Sequence, residues 1–263
     1  MSPTADATIS ALRSTHDELA EVVRGLTDAQ LRDQSGAAEW PVAQVLSHLG
    51  SGAEIALATL RAATGEGEAP GDGSNQSVWD RWNSMAPREQ AEGFLDADEA
   101  LVGAFEALTP EQRSEVQVSL GFLPRPLPLA TYAGMRLNEA AQHSWDARVG
   151  SDPGAVIEDS SAALVVDHLA NGLGFLVGFT GKADALPEPA LVTLGDLGVA
   201  LSVTDAVALA PADEDGATAR LHGSADAVAR LLAGRLTPGF TPDDVSVTGN
   251  VGLADLRRVF PGY

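Results

Sequence analysis

Apolar residues recur every three or four positions along most of the first 150 residues, the spacing of one buried helix face. Pro41 stands at the expected first helical position of the second run, and Pro87 is expected to kink or split the third. The fourth run ends at Gly150, a residue typical of the position after a helix. The expected helices cover residues 6–26, about 41–63, 77–108 and about 129–149. Four such helices, joined in sequence by three connections, predict a four-helix bundle.

Two of these connections lack helical periodicity. Residues 65–76 are rich in Gly, Glu and Asp, which indicates a mobile loop, either a lid or simply a solvated segment. Residues 120–129 contain three prolines, each of which disfavours helix in the residue before it, so this stretch is expected to be extended. Arg125 in the second loop faces either a ligand or solvent.

The pattern changes after residue 150, where Ser-Asp-Pro-Gly at 151–154 indicates a domain boundary. Runs rich in Val and Leu, separated by turn residues, then indicate strands between helices. The expected elements are a helix at 159–180, strands at 191–203, 206–210, 218–222 and 245–248, and helices at 224–234 and 251–259. This order predicts an α+β protein of two domains: a helical bundle over 1–150, and a small α+β domain with an antiparallel sheet over 151–263.

Composition narrows the function classes. The 263 residues carry a formal net charge of −21, which argues against nucleic acid or an anionic membrane surface as a partner. There is no cysteine, which excludes disulfides, thiolate ligands and a cysteine nucleophile. Lys182 is the only lysine, so Schiff-base chemistry is not expected. With no signal-like start or membrane-length apolar run, a soluble cytoplasmic protein is expected; the oligomeric state stays open.

The fourth helix carries the candidate chemistry. Arg136, Glu139, His143 and Asp146 follow one another at spacings of three and four, so they form one stripe along the helix, continued by Tyr132 one turn earlier. Glu139 and His143 are four residues apart, and side chains at that spacing can bind one ion together. The alternative is a surface ion pair on an ordinary amphipathic helix.

A third ligand is available on the second helix. If the bundle closes normally, His48 can face Glu139 and His143, and Gly52 one turn later leaves space beside the imidazole. Three N/O ligands with one open position are typical of a catalytic zinc site. His16, on the apolar face of the first helix, is expected to be a hydrogen-bonded core residue, and His168 and His222 are expected to be structural or surface residues.

Two segments resemble the metal-ligand motifs of a known family. The segment WPVAQVLSHL at 40–49, which ends just past His48, and the pattern Arg136-x-x-Glu139-x-x-x-His143-x-Trp145-Asp146 are similar to those of the mycothiol-dependent maleylpyruvate isomerase family, which belongs to the DinB-like helical bundles. Proteins of that family carry a small sterol-carrier-like α+β domain after the bundle. Residues 221–235 and 245–250 resemble its counterpart.

The resemblance implies a divalent metal, usually zinc, held by His48, Glu139 and His143, with mycothiol as cosubstrate. It also implies a functionally important arginine in the second domain, facing the metal cleft. Arg235 is the best match, and Arg220 and Arg230 compete with it. Within this interpretation Arg136 either orients Glu139 or pairs with an anionic substrate. Asp146 either hydrogen-bonds a ligand imidazole or only ties the fourth helix to the first.

The residues together with the resemblance predict a mycothiol-dependent metalloenzyme that adds the thiol to a small electrophile, an S-transferase. A cis-trans isomerase of the maleylpyruvate type is the nearest alternative, since neither loop carries a recognisable maleylpyruvate signature. A non-catalytic metal- or ligand-binding protein is the alternative from another class, and a metal-dependent hydrolase is a third. The identity of the electrophile and of the metal is left open.

Overall fold

The computed structural model describes residues 3–71, 73–212 and 215–262. Four long α-helices and two short ones form the first part of the chain. The chain divides into two compact units, Thr4–Ala155 and a second from Val156 onwards, whereas the boundary was predicted after residue 150. The helices of the first unit are α1 (Ala5–Gly25), α2 (Val42–Thr64), α3 (Ser74–Asn83), α4 (Pro87–Glu106), α5 (Pro110–Glu115) and α6 (Leu129–Val149).

The long helices close into a four-helix bundle. Helix α1 packs against α4 and α6, and α2 packs against the same two helices, so α1 and α2 lie diagonally opposite one another. Their apolar faces meet in a core whose fully buried members come from every one of the packed helices. Among these core residues are Leu19, Val45, Leu46, Leu49, Phe94 and Ala147.

The third helical region, predicted to be kinked or split around Pro87, is split into two helices. Helix α3 begins at Ser74, inside the segment expected to be a loop, and α4 begins at Pro87, whose fixed φ suits the first helical position. The Thr109-Pro110 pair, expected only to break a helix, also begins one: the Thr109 hydroxyl accepts a hydrogen bond from the Gln112 N–H and caps α5. The sequence pattern missed this short helix because it buries none of its residues.

The proline-rich loop, expected to be extended, is extended only at its end: residues 121–125 form turns and bends. It pairs β1 (Gln117–Val118) with β2 (Leu127–Pro128) in a two-stranded antiparallel ribbon. Helix α6 ends as predicted, but Gly150 is not left-handed: its φ is −65°. The physical reason for glycine there is a close approach, because a Cβ on Gly150 would lie 2.6 Å from the Gln34 carbonyl oxygen.

A second close approach joins α2 to α3. A Cβ on Gly50 would lie 2.2 Å from the ring of Trp82, and Trp82 is buried. The indole therefore rests directly on the backbone of α2, and its Nε1 donates to Glu54 at 3.0 Å. This contact fixes the short α3 against the long helix that carries His48.

The second unit is α+β, which confirms the predicted fold class. The elements are α7 (Asp159–Ala170), α8 (Gly174–Thr180), β3 (Ala190–Leu194), β4 (Val199–Val203), β5 (Val207–Pro211), β6 (Ala219–His222), α9 (Ala225–Leu232), β7 (Ser246–Gly249) and α10 (Leu253–Val259). The five-stranded sheet has the order β5-β4-β3-β6-β7. It was predicted to be antiparallel but is mixed, because β3 and β6 are parallel and every other pair is antiparallel.

Two predicted elements of this unit are each divided. The helix expected over 159–180 is α7 and α8, which meet at an angle of 85°. The strand expected over 191–203 is the hairpin of β3 and β4, whose turn contains Gly195 and Gly198 at φ +56° and +65°. Both glycines adopt the left-handed conformation, which allows the chain to reverse direction. The sequence pattern did not reveal this turn, because Val and Leu residues continue on both sides of it.

Across the described ranges, no single helix is long and apolar enough to cross a bilayer; only the bent pair α7 and α8, taken together, meets that criterion.

His168 on α7 gives the second unit a pH dependence. Its side chain is buried, and burial lowers its pKa to about 4. Since the imidazole titrates near 6.5 in an unfolded chain, the unfolded state takes up a proton first as the pH falls. We expect the free energy of unfolding to decrease by about 3 kcal/mol between pH 6.5 and pH 4 and then to be insensitive to this group.

Urea unfolding of the wild type and of His168→Leu at pH 7 and pH 4.5 measures this effect. The variant should lose clearly less stability on acidification than the wild type. His222→Gln is the control, because His222 is exposed. Equal acid sensitivity in the wild type and in His168→Leu would contradict the prediction.

Candidate metal centre

Helix α6 is buried on nearly all sides, including most of its polar residues. Polar and ionisable groups in such a position need partners, because burying them unpaired costs several kcal/mol. The stripe predicted from the sequence therefore lies inside the bundle and not on an exposed amphipathic face. Its members Arg136, His143 and Asp146 are each less than a tenth exposed, and each takes part in a specific contact.

The structure brings together the three predicted ligands. One ligand atom each from His48, Glu139 and His143 lies within 4.8 Å of the other two. The His48 Nε2 is 3.1 Å from the Glu139 Oε2, and the His143 Nε2 is 3.6 Å from the same oxygen. Helix α2 supplies the first residue and α6 the other two.

These separations fit a metal. Ligand atoms 2.0–2.2 Å from an ion in tetrahedral geometry lie roughly 3.3–3.6 Å from one another, close to the two distances between the imidazoles and the carboxylate. The 3.6 Å contact is too long for a good hydrogen bond. Two nitrogen ligands and one carboxylate oxygen also form a donor set that zinc accepts.

Asp146 orients one of the imidazoles. Its carboxylate is completely buried and lies 2.8 Å from the Nδ1 of His143. Because a carboxylate only accepts, Nδ1 carries the proton, and the other nitrogen of His143 is left to face Glu139. Of the two roles considered for Asp146, the structure shows the hydrogen bond to an imidazole, that of His143, and this contact is typical of metal-binding histidines.

Replacing this carboxylate should weaken metal binding without removing it. We expect Asp146→Asn to lower zinc affinity by about 10–100-fold, because the amide is a weaker acceptor and holds His143 less firmly. Competition with a chromophoric chelator measures the affinity. Ser144→Ala is the matched control on the same helix: Ser144 is buried, and its Oγ has no hydrogen-bond partner among the described residues. Unchanged affinity in Asp146→Asn would count against a positioning role.

An indole covers the imidazoles. The ring of Trp40 lies 5.2 Å from that of His48 and 6.0 Å, nearly parallel, from that of His143. The loop that carries Trp40 is fastened to α6, since the Gly36 N–H donates to the Asp146 carbonyl at 2.8 Å. Sequence reasoning included Trp40 in a motif but gave it no role.

Glu139 is held in its charged form. Burial by itself would raise the pKa of its carboxyl, but the imidazoles of His143 and His48 outweigh burial and hold the pKa well below its usual range. The carboxylate is therefore ionised at neutral pH and available as an anionic ligand.

A cleft with a volume of about 670 Å³ leads to the three candidate ligands. His48 and Glu139 line it, whereas His143 is buried behind them. Most of the cleft surface is apolar. Its other lining residues come from α2, α6 and both predicted loops, and include Gly52, Ile55, Tyr132, Met135, Arg136, residues 69–71 and residues 119–122.

Arg136 also lines the cleft, but it does not orient Glu139. Its Nη2 donates to the Leu49 carbonyl at 2.9 Å and to Asp98 Oδ1 at 2.7 Å. Asp98, on α4, is the residue that sequence reasoning missed. The sequence does indicate Asp98, because this charged residue lies at helical spacing from Phe94, Leu101 and Phe105, within an otherwise apolar helix face.

His16 completes this buried network and confirms the prediction of a hydrogen-bonded core histidine. Its Nδ1 lies 2.8 Å from Asp98 and its Nε2 lies 3.1 Å from Glu99. Glu99 and Asp17, which lie close enough to His16 to suggest a second metal site, instead bind Arg13 at 2.6 and 3.3 Å. We interpret this group as an ion-pair network.

The three candidate arginines of the second unit have different surroundings. Arg230 is buried and forms a bidentate pair with Asp226 at 2.9 and 2.7 Å, so it serves the unit's own core. Arg220 pairs with Asp196 at 2.7 Å. Arg235 follows α9, is half-buried, and donates from Nη1 to the Ala233 carbonyl at 3.1 Å. A role for Arg235 in the site stays a prediction.

Comparison with protein families identifies a match to the first unit. The family model described as the mycothiol maleylpyruvate isomerase N-terminal domain matches residues 12–148, more than half of the 263 residues. The chain belongs to this family. The matched range contains all three candidate ligands, Trp40 and Asp146. No curated protein matches the chain in sequence.

Two solved structures share the fold. A crystal structure of mycothiol-dependent maleylpyruvate isomerase has a TM-score of 0.62 at 17% identity, and a histidine-to-alanine mutant of it has a TM-score of 0.64 at 16% identity. In both cases the match covers 94% of each chain. The likeness therefore extends through the helical bundle and the α+β unit, as the sequence resemblance implied.

Proposed function

We propose that the chain is a mycothiol-dependent metalloenzyme that adds the thiol to a small electrophile. The observation that carries the proposal is the group of His48, Glu139 and His143, the first two of which line an apolar cleft. Membership of the family agrees with it. Because the chain has no cysteine, any thiol in the reaction must come from a cosubstrate.

The protein's own residues have distinct roles in this proposal. His48, Glu139 and His143 hold a divalent ion, with zinc the best fit to the donor set; when bound, the ion supplies the Lewis acidity that converts a thiol of pKa about 8.5 to thiolate at neutral pH. Asp146 keeps the proton of His143 on Nδ1, and Trp40 packs against both imidazoles. The cleft receives the electrophile beside Glu139 and His48.

Two fates of the adduct distinguish the candidate reactions. In S-transfer, the sulfur bonds to one alkene carbon, a proton adds to the other, and the adduct leaves. In isomerisation, the sulfur bonds to the alkene, the resulting single bond rotates, and the C–S bond breaks to release the thiol unchanged. The solved isomerases that share the fold favour isomerisation, so we place it ahead of the S-transfer predicted from sequence.

Calorimetric titration of mycothiol tests the shared first step. Zinc-loaded and chelator-treated protein are compared at neutral pH, and proton release is measured together with heat. We expect binding with proton release only in the zinc-loaded form. Binding in neither form would reject the thiol-dependent function and favour a hydrolase or a ligand-binding protein.

Product analysis then separates the two reactions. With a cis-alkene diacid such as maleate as probe, an isomerase would form the trans isomer while the concentration of free mycothiol stays constant. A transferase would consume one mycothiol for each alkene. Metal removal that only lowers the melting temperature, without loss of thiol binding, would favour the non-catalytic alternative.

Arg235 is tested by its own variant. We propose that it contributes to turnover and not to metal binding, so Arg235→Ala should weaken activity and leave the zinc content unchanged. Arg220→Ala is the comparison, because Arg220 is the competing candidate that is not buried. Normal turnover in Arg235→Ala would reject its role.

A further inference from the structure

The guanidinium of Arg136 is only partly used by the protein. Both of its hydrogen bonds leave from Nη2, to Leu49 and Asp98. The Nε is buried without a partner among the described residues, and Nη1 donates no hydrogen bond within the described part of the chain. A buried arginine normally uses more of its five donors, so this side chain has capacity left for a ligand.

The unused Nη1 lies at the cleft beside Gly52. A Cβ on Gly52 would be 3.2 Å from it, and both residues line the same cleft as His48 and Glu139. Glycine is unfavourable in the middle of a helix, yet Gly52 sits well inside α2. Its lack of a side chain leaves the space in which Nη1 can be approached.

Asp98 fixes which edge of the guanidinium is presented. Its Oδ1 binds Nη2, while its Oδ2 is held at 2.8 Å from His16 Nδ1. Asp98, His16 and Arg136 are all buried, so their rotamers are constrained by packing as well as by hydrogen bonds. The network therefore holds Nη1 in one place.

We propose that Arg136 is a specificity residue that binds an anionic group of the carboxylate type on the ligand through Nη1, with Asp98 and Gly52 as positioning residues. The inference rests on the proposed function, since it assigns the ligand chemistry of the same cleft. The apolar lining, with Ile55 and Met135 among its members, would receive the uncharged part of the ligand. An arginine donor to a carboxylate forms a strong, charge-assisted hydrogen bond.

The test compares benzoate with benzamide, two probes of equal size and different charge. Binding is measured by calorimetry on chelator-treated full-length protein, so that a carboxylate cannot bind to the ion. The wild type should prefer benzoate by about tenfold or more, as expected for a charge-assisted hydrogen bond. Equal binding of both probes, or benzoate binding only in the zinc-loaded protein, would overturn the proposal.

Gly52→Ala probes the space beside Nη1. The added methyl improves helix propensity and covers Nη1, so benzoate affinity should fall about tenfold while the fold is retained and benzamide binding is unchanged. Gly103→Ala is the matched control: Gly103 lies in α4, and a Cβ there would meet nothing within 4 Å. Equal benzoate affinity in the two alanine variants would count against the assignment.

A double variant removes the cation without leaving its partner unpaired. Asp98→Leu with Arg136→Met should abolish the preference for benzoate in a protein whose circular dichroism is unchanged. Retention of the preference would overturn the proposal.

Mycothiol titration of the zinc-loaded wild type is run in parallel. If zinc-loaded wild type does not bind mycothiol, the proposed thiol chemistry is rejected. The ratio of benzoate affinity to benzamide affinity, measured on chelator-treated protein without thiol, reports on Arg136 alone. The two measurements therefore distinguish failure of the proposed function from failure of the Arg136 assignment.

Discussion

Alanine at position 48 is expected to remove the metal and leave the bundle folded. In the proposed site His48 contributes one of three ligand atoms. Its side chain is about a third exposed, so its loss leaves little empty space in the core. Loss of a direct ligand should exceed the 10–100-fold loss of affinity typical of outer-sphere changes. Zinc content after dialysis, measured by inductively coupled plasma mass spectrometry, should fall below about a tenth of the wild-type value, and any thiol-dependent turnover should fall with it.

His143→Ala should remove the metal equally well but should also destabilise the bundle. Its imidazole is buried and binds Asp146, so truncation leaves a cavity and deprives a buried carboxylate of one partner. His222→Ala, an exposed histidine of the second unit, is the control for both. Full zinc retention in both His48→Ala and His143→Ala would show that the assigned site is wrong.

Asp98→Ala is expected to have the largest effect on stability. Burial would raise the pKa of Asp98, but the Arg136 cation and the hydrogen bond from His16 lower it, so the carboxylate is charged at neutral pH. Its removal leaves a buried guanidinium without its counterion, which should cost about 3–5 kcal/mol in the free energy of unfolding. Urea denaturation at pH 7 measures the loss.

The double variant used above also serves as the stability control. Asp98→Leu with Arg136→Met replaces both charges by apolar groups, and such replacements are often neutral or stabilising. It should therefore recover most of the stability that Asp98→Ala loses. If Asp98→Ala alone were as stable as the wild type, the pair would not be a buried ion pair in solution.

Much of the architecture was readable from the sequence because the relevant signals are local. The apolar spacing of α1 and α2, and the proline at the start of α4, depend only on neighbours within one or two turns. The same holds for α6, where Glu139 and His143 are four residues apart on one helix. Errors occurred where two elements share one apolar run, as in the hairpin of β3 and β4 and the bend between α7 and α8.

The candidate site required both kinds of information. The sequence by itself determined the helical bundle followed by an α+β unit, the absence of a protein thiol, and the residue types able to bind a metal, because periodicity and composition are properties of the chain alone. Only the tertiary structure decided that His48 meets Glu139 and His143, that Asp146 binds His143, and that Arg136 pairs with Asp98. These contacts join residues of different helices, or depend on which face of a buried helix meets another, and helix packing sets them.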